Sequence, residues 1–219
     1  MNIRKDIRNY TSDELNKLRI AMKTFQEKIG EFSYIDMAGY HGIPKALCPH
    51  GSFLFLPWHR YYIFKFESEL KKIDSSVNLP YWDWTSMESL QTGIPDGYND
   101  QFYNLQSGVT EENSLYNGPI EDRSRKTKRF PGRVEQLKSI SDSAKLAYKN
   151  NTYESFNSAI EGPHGSIHVW VGAGGANRGE MSSVPRAAFD PIFWAHHTNI
   201  DRQWAVWQSP TYYNQHCSP

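Results

Sequence analysis

The stretch Cys48-Pro-His50-Gly-Ser-Phe-Leu-Phe-Leu-Pro57-Trp58-His59-Arg-Tyr-Tyr-Ile-Phe-Lys-Phe-Glu67 sets two histidines at either end of a proline-broken aromatic run. From Trp58 onward, Tyr61, Tyr62, Phe64, Phe66 and Leu70 recur on a helical rather than an alternating period. Pro57 suits a first turn, where a missing N–H costs nothing. The spacing predicts a buried helix from Trp58 to Lys72. His59 then lies in its first turn and His50 in the loop before it, so the loop can fold back and aim both imidazoles at one interior point. A lone histidine in such a run reads as a satisfied core residue, whereas two call for a further reason.

The second half of the chain supplies it. Gly162-Pro-His164-Gly-Ser-Ile-His168-Val-Trp170 places two histidines at i and i+4, on one helical face and close enough to bind one metal ion. Phe189-Asp-Pro191-Ile-Phe-Trp-Ala-His196-His197-Thr-Asn-Ile-Asp-Arg-Gln-Trp204 repeats the logic of the first stretch, with a first-turn proline, aromatic neighbours, then histidine and an Asp-Arg pair. Histidines spread over three apolar helices form a metal constellation.

These residues carry a resemblance. PHGSFLFLPWHRYYIFKFE resembles the copper A signature, and GPHGSIHVWVG with FDPIFWAHHTNIDRQW the copper B signature, of the tyrosinase, catechol oxidase and haemocyanin family of type-3 dicopper proteins. LPYWDW at Leu79 to Trp84 and the opening IRKDIRNYTSDELNKLRIAM also resemble family segments, so the likeness runs nearly end to end. It implies a mainly α fold, a four-helix bundle around a dicopper centre with long connecting loops. The four helices would carry His41, His59, His164 with His168, and His197.

Length and composition agree with one domain over residues 1–219: the chain is 38% hydrophobic, enough for a large core. Its 24 basic and 24 acidic residues cancel, which leaves no electrostatic footprint for nucleic acid or an anionic membrane. A small neutral partner is the more natural expectation. No window approaches a membrane span and the N-terminus lacks an apolar leader, so a soluble, cytoplasmic protein is expected. Two cysteines, Cys48 and Cys217, make no disulfide framework.

Elsewhere, Thr11 to Glu14 reads as a cap and acidic first turn opening a helix that runs to about Gly30. Arg4 and Arg8 should tie the N-terminus to the body. Ile35 to His41 reads as the end of a second helix, and Asp83 as the anchor of a polar network. Thr85 to about Lys128, punctuated by glycine and proline, reads as loop, and the basic run Arg123 to Arg129 as solvated surface. Arg133 to Lys149 is another helix, and Thr152 to Ile160 leads into the second histidine stretch.

Imidazole suits copper, and three nitrogen ligands per ion leave room for dioxygen. The resemblance assigns His41, His50 and His59 to one copper ion and His164, His168 and His197 to the other, with dioxygen as co-substrate. His197 is preferred to His196 because the matching ligand stands seven residues after the Asp of Asp-Pro-Ile-Phe. His196 and Asp201 are expected to orient the ligands, and Arg60 and Arg202 to make buried ion pairs. Cys48-Pro49-His50 resembles the Cys-x-His form of a thioether link found in fungal and plant relatives. Phe55, Val169, Val184 and Phe193 are expected to wall the substrate pocket, the small Val184 leaving its entrance open. Glu161 resembles an acid that holds a proton-accepting water. The chain departs from the common pattern at Gly165, where many strong tyrosinases carry Asn, which bears on how that water is polarised. The implied reaction is hydroxylation of monophenols and oxidation of o-diphenols to o-quinones. The alternatives are a catechol or o-aminophenol oxidase, and a haemocyanin-like oxygen carrier, whose pocket a further domain would shield and which the end of this chain at Pro219 disfavours. Small phenols are the expected partners, with room for a copper-delivery partner, and the oligomeric state stays open.

Overall fold

Thr11 opens the first helix by a reciprocal cap: its hydroxyl accepts from the Glu14 N–H while the Glu14 carboxylate accepts from the Thr11 N–H. The computed structural model describes residues 3–105 and 108–209. Helix α1 runs Ser12–Glu27, and its buried stripe of Leu18, Ala21, Met22 and Phe25 packs on the third helix. Ser33 caps α2, Tyr34–His41, which ends at Gly42. A side chain at Gly42 would stand 2.1 Å from the Pro185 carbonyl oxygen, so the chain after His41 passes that segment only because this position is glycine.

Helix α3 spans Phe55–Ile73, three residues earlier than the aromatic period predicts, with Pro57 still in its first turn. Its buried stripe is His59, Tyr62, Ile63, Phe66 and Leu70, at helical spacing. Tyr61 and Phe64, which the sequence places in the same apolar run, face outward at 62% and 56% exposure. Aromatic residues fall on more than one face of its first half, so which rings are buried is set by what packs against it. Phe66 stacks on Trp194 with ring centroids 3.5 Å apart, locking α3 against the last helix. Burial of each such side chain is worth about 1.5–3 kcal/mol.

The segment read as loop carries two short helices, α4 (Met87–Thr92) and α5 (Asp96–Asn99), and an antiparallel hairpin of β1 (Phe102–Asn104) with β2 (Thr110–Glu112), Tyr103 opposite Glu111. Helix α6 (Gln136–Ala147) packs along α7 (Tyr153–Gly172), a continuous helix with Pro163 inside it. Helix α8, Ile192–Trp207, is buried along most of its length and packs on α3. No helix among the described residues is long and apolar enough to cross a membrane.

The basic run is not uniformly solvated. Arg129 forms an ion pair with Asp190, their side chains only 8% and 0% exposed, and also donates to the carbonyls of Tyr98 and Leu115. Asp190 in turn accepts from the Ile192 N–H at the start of α8. Arg123 donates to the carbonyls of Gln26 and Lys28 at the C-terminal end of α1. Charge composition could not show this, because pairing depends on what the fold brings opposite.

The N-terminal arginines do tie down the chain. Arg4 pairs with Glu67 and Asp201, and Arg8 donates to Ser89 and Gly93. Asp83 bonds Thr85 and pairs with Arg202. Arg60 pairs with Asp201 and lies 3.7 Å from the Trp204 ring centroid. Arg60 and Arg202 are therefore paired as expected, but each keeps 38% side-chain exposure and neither pair is buried.

Candidate metal centre

Four helices bring their histidines to one interior point: His41 from the end of α2, His59 from the first turn of α3, His164 and His168 from α7, and His196 with His197 from α8. His50 stands in the turn before α3. Two groups result, His41, Cys48, His50 and His59, and His164, His168, His196 and His197. Within each, one possible ligand atom per residue lies within 4.8 Å of the others.

Backbone carbonyls orient the rings. Nδ1 of His59 faces the Phe55 carbonyl at 2.8 Å, His41 that of Val184 at 3.1 Å, His168 that of Met181 at 3.1 Å, and His164 that of Glu161 at 3.4 Å. A carbonyl can only accept, so each Nδ1 carries the proton and each Nε2 turns a lone pair inward. The Nε2 atoms of His164, His168 and His197 then lie 3.1, 3.2 and 3.3 Å apart. The lone pairs of His164 and His168, 3.1 Å apart, repel unless a cation lies between them. Nδ1 of His197 has no carbonyl partner among the described residues, and its Nε2 completes the same triangle. A point equidistant from all three is about 1.9 Å from each, close to the ~2.0–2.1 Å of an imidazole–metal bond. The His41 Nε2 is likewise buried without a partner among the described residues. The donor set and its geometry fit two copper ions.

The two groups face each other. The His59 ring stacks on His197 at 4.2 Å and 13°, and His50 lies 6.0 Å from His164. Burial pushes His59 down to about 3 and His168 down to about 4, and holds His41, His164, His196 and His197 well below the ordinary histidine range. The imidazoles are neutral at pH 7, as metal ligation requires. Burial also raises the Cys48 thiol, with Glu161 adding to the effect, so the thiol is protonated.

Cys48 Sγ lies 3.2 Å from His59 Nε2 and 3.6 Å from His50 Nε2, so the nearer imidazole is not the one the Cys-x-His spacing names. Cys217 lies outside the described residues. His196 stacks on His164 at 5.2 Å, and its Nδ1 accepts from the Trp84 indole N–H at 3.2 Å. Asp201 turns away from the histidines, its carboxylate taken by Arg4 and Arg60.

A cavity of about 190 Å³ opens onto the histidines, lined by His41, His50, Glu161, His164, Gly165, His168, Val169, Met181, Ser182, Val184 and Ala187. Val169 and Val184, each 54% exposed, line it. Phe55 and Phe193 do not reach it. Fully buried, Phe55 packs edge-on at 4.8 Å to both His59 and His164, and Phe193 lies 4.8 Å from His41 and 4.1 Å from His197. Standing four residues before a ligand on the same helix, each sits one turn below it on the core side. Each ring braces one histidine from either group. Glu161 lines the cavity, and its Oε1 accepts from the Gly51 N–H at 2.7 Å. The carbonyls of Met181 and Val184, and Met181 and Ser182 as lining, have no counterpart in sequence reasoning: a backbone acceptor carries no residue signature.

Residues 31–210 match the family model described as the common central domain of tyrosinase. A haemocyanin G-type chain of Enteroctopus dofleini, units Oda to Odg, is 31% identical over 95% of this chain and 8% of its own length. The structure of deoxygenated haemocyanin from Rapana thomasiana superposes with a TM-score of 0.85 at 28% identity, over 98% of this chain and 56% of that one. A tyrosinase from Burkholderia thailandensis shares the fold at a TM-score of 0.77 and 23% identity, over 96% of this chain and 62% of that one. The chain thus spans less than two thirds of each of these relatives. With a dicopper-competent pair of histidine groups on the matching helices, it belongs to the tyrosinase and haemocyanin family of type-3 copper proteins.

Proposed function

We propose that the chain is a tyrosinase, hydroxylating monophenols to o-diphenols and oxidising o-diphenols to o-quinones with dioxygen. His41, His50 and His59 would hold one copper ion and His164, His168 and His197 the other, with His196 supporting them through its stacking on His164. When bound, the copper pair would supply dioxygen binding and the electron exchange with the phenol. The carrying observation is the open cavity over both histidine groups with a carboxylate in its wall. A cavity of ~150 Å³ holds a benzene ring, so this one admits a single phenol. Val169 and Val184 flank the ring at the mouth. Glu161 takes the phenolic proton, directly or through one water, which a monophenol must lose before its oxygen can act as a ligand. Phe55 and Phe193 fix ligand rings against rotation, and the carbonyl partners of Nδ1 keep His41, His59, His164 and His168 in one tautomer.

Two other readings have support. The 31% identity to a haemocyanin favours an oxygen carrier, and Gly165 favours an oxidase of catechols or o-aminophenols without the hydroxylation step. One experiment separates all three. Copper-loaded protein is given tyrosine, L-DOPA and o-aminophenol, with oxygen uptake and quinone formation followed. Turnover of tyrosine after L-DOPA supports the tyrosinase. Turnover of diphenol or aminophenol alone selects the oxidase, and reversible oxygen binding without turnover selects the carrier.

A further inference from the structure

His50 differs from the other ligating candidates in its support. His41, His59, His164, His168 and His197 ride on helices, whereas His50 sits half-buried in the turn between α2 and α3, flanked by Gly51 at φ +63°. Nothing regular in its own segment holds it. The segment after it is gripped from outside by one stripe of α7. At the first position Tyr153 donates its hydroxyl to the Phe53 carbonyl. One turn on, Asn157, only 4% exposed, donates its Nδ2 to the Ser52 carbonyl at 3.0 Å and accepts from the Leu56 N–H at 3.3 Å. One turn further, Glu161 accepts from the Gly51 N–H at 2.7 Å. Residues 153, 157 and 161 follow each other at i, i+4 and i+8, so they form one row, and it leads directly to His164 and His168.

The Asn157 contact also completes α3. The residue before that helix, Leu54, makes no side-chain cap bond, and the N–H groups of a first turn have no partner within the helix. Asn157 supplies an acceptor for Leu56, in the turn that carries Phe55 and His59.

We propose that this row is a positioning device: Asn157, aided by Tyr153 and Glu161, sets the loop of the first histidine group from the helix that carries the second, and so fixes where His50 points. Asn157 is a positioning residue, since it touches neither group's ligand atoms. The proposal rests on the dicopper reading only for its second readout.

The test is Asn157→Ala, with Glu161→Gln as comparison, because a glutamine oxygen still accepts from Gly51. In metal-free protein the amides of residues 51–56 should exchange with deuterium about tenfold faster in Asn157→Ala, the effect of losing a bond or two at about 1 kcal/mol each. Amides in the middle of α8 should be unchanged. After incubation with cupric ions and dialysis, wild type and Glu161→Gln should retain two copper ions per chain. Asn157→Ala should retain one, seen by electron paramagnetic resonance as an isolated cupric ion. Unchanged exchange in 51–56, or two coppers retained in Asn157→Ala, overturns the proposal. If wild type retains no copper, the dicopper reading fails while the exchange result still decides the row. Should Asn157→Ala unfold, Tyr153→Phe decides instead: faster exchange in 51–56 alone supports the device, and wild-type exchange there overturns it.

Discussion

Acid should unfold the metal-free protein through its buried histidines. Burial lowers His59 to about 3 and His168 to about 4, against 6.5 for the unperturbed side chain. Each binds its proton more weakly folded than unfolded, so its contribution to stability is fully present above about pH 6.5. It is lost as pH falls toward the folded value. A pH of 5.0 lies ~1.5 units below the unfolded imidazole's pKa, worth about 2 kcal/mol for each of the two, or about 4 kcal/mol together. His41, His164, His196 and His197 are displaced in the same direction and add to the loss. Glu14, held near 2 by Lys5, titrates below this window, and Asp190, which burial raises, works in the opposite sense once protonated. Against a total of about 5–15 kcal/mol for a domain, the loss is large. The assay is urea unfolding of metal-free protein at pH 7.5 and 5.0, each referenced to its own denatured baseline. Copper-loaded protein should resist to lower pH, since the ion binds only the folded arrangement. Equal midpoints for the metal-free protein at the two pH values would refute the account of six neutral, water-excluded imidazoles.

Glu161→Gln should lower monophenol turnover on the order of a hundredfold, the usual worth of a positioned base, while diphenol oxidation at equal copper occupancy suffers far less. Parallel losses would remove the proton role. Gly165→Asn should raise monophenol turnover by adding an amide at the cavity wall. Beyond the helix's own backbone, no atom lies within 4 Å of a Cβ placed there, so the position has room for a side chain to start. If a thioether joins Cys48 to His50, copper-matured protein should weigh about two daltons less than its sequence, from the two hydrogens lost. Ready alkylation of Cys48 in active protein would contradict the link. Arg129→Ala leaves Asp190 charged and buried without its partner, at about 3–5 kcal/mol, so the melting temperature should drop by roughly 10 °C. A drop under about 3 °C would mean that Asp190 is compensated by other groups.

Several of the candidate ligand histidines were legible in the sequence because their signal is local, whereas His41 and the preference for His197 over His196 came from the family resemblance. His164 and His168 sit at i and i+4, and His59 and His197 each follow a proline in an apolar helix, so helical geometry alone aims them. The helix start at Thr11 was legible for the same reason, since the cap and the N–H that donates to it lie within three residues. Ser33 and Thr152 cap α2 and α7 in the same way but were not singled out in the sequence. Other features depend on residues far apart in the chain, and no local pattern encodes them. Tyr61 and Phe64 share an aromatic run with Phe66, yet only Phe66 meets Trp194. Phe55 and Phe193 are apolar neighbours of ligands in any reading, but packing placed them behind the histidines rather than in the cavity. Asp201 follows His197 by one turn, and arginines from α3 and the N-terminus claimed it. Arg129 is one of a run of cations until Asp190, 61 residues away, is opposite it. Sequence spacing, together with the family resemblance, named which side chains could ligate. Tertiary structure decided which partners hold them in place, because a carbonyl, a buried counter-ion or the amide of Asn157 acts only once the fold has carried it there.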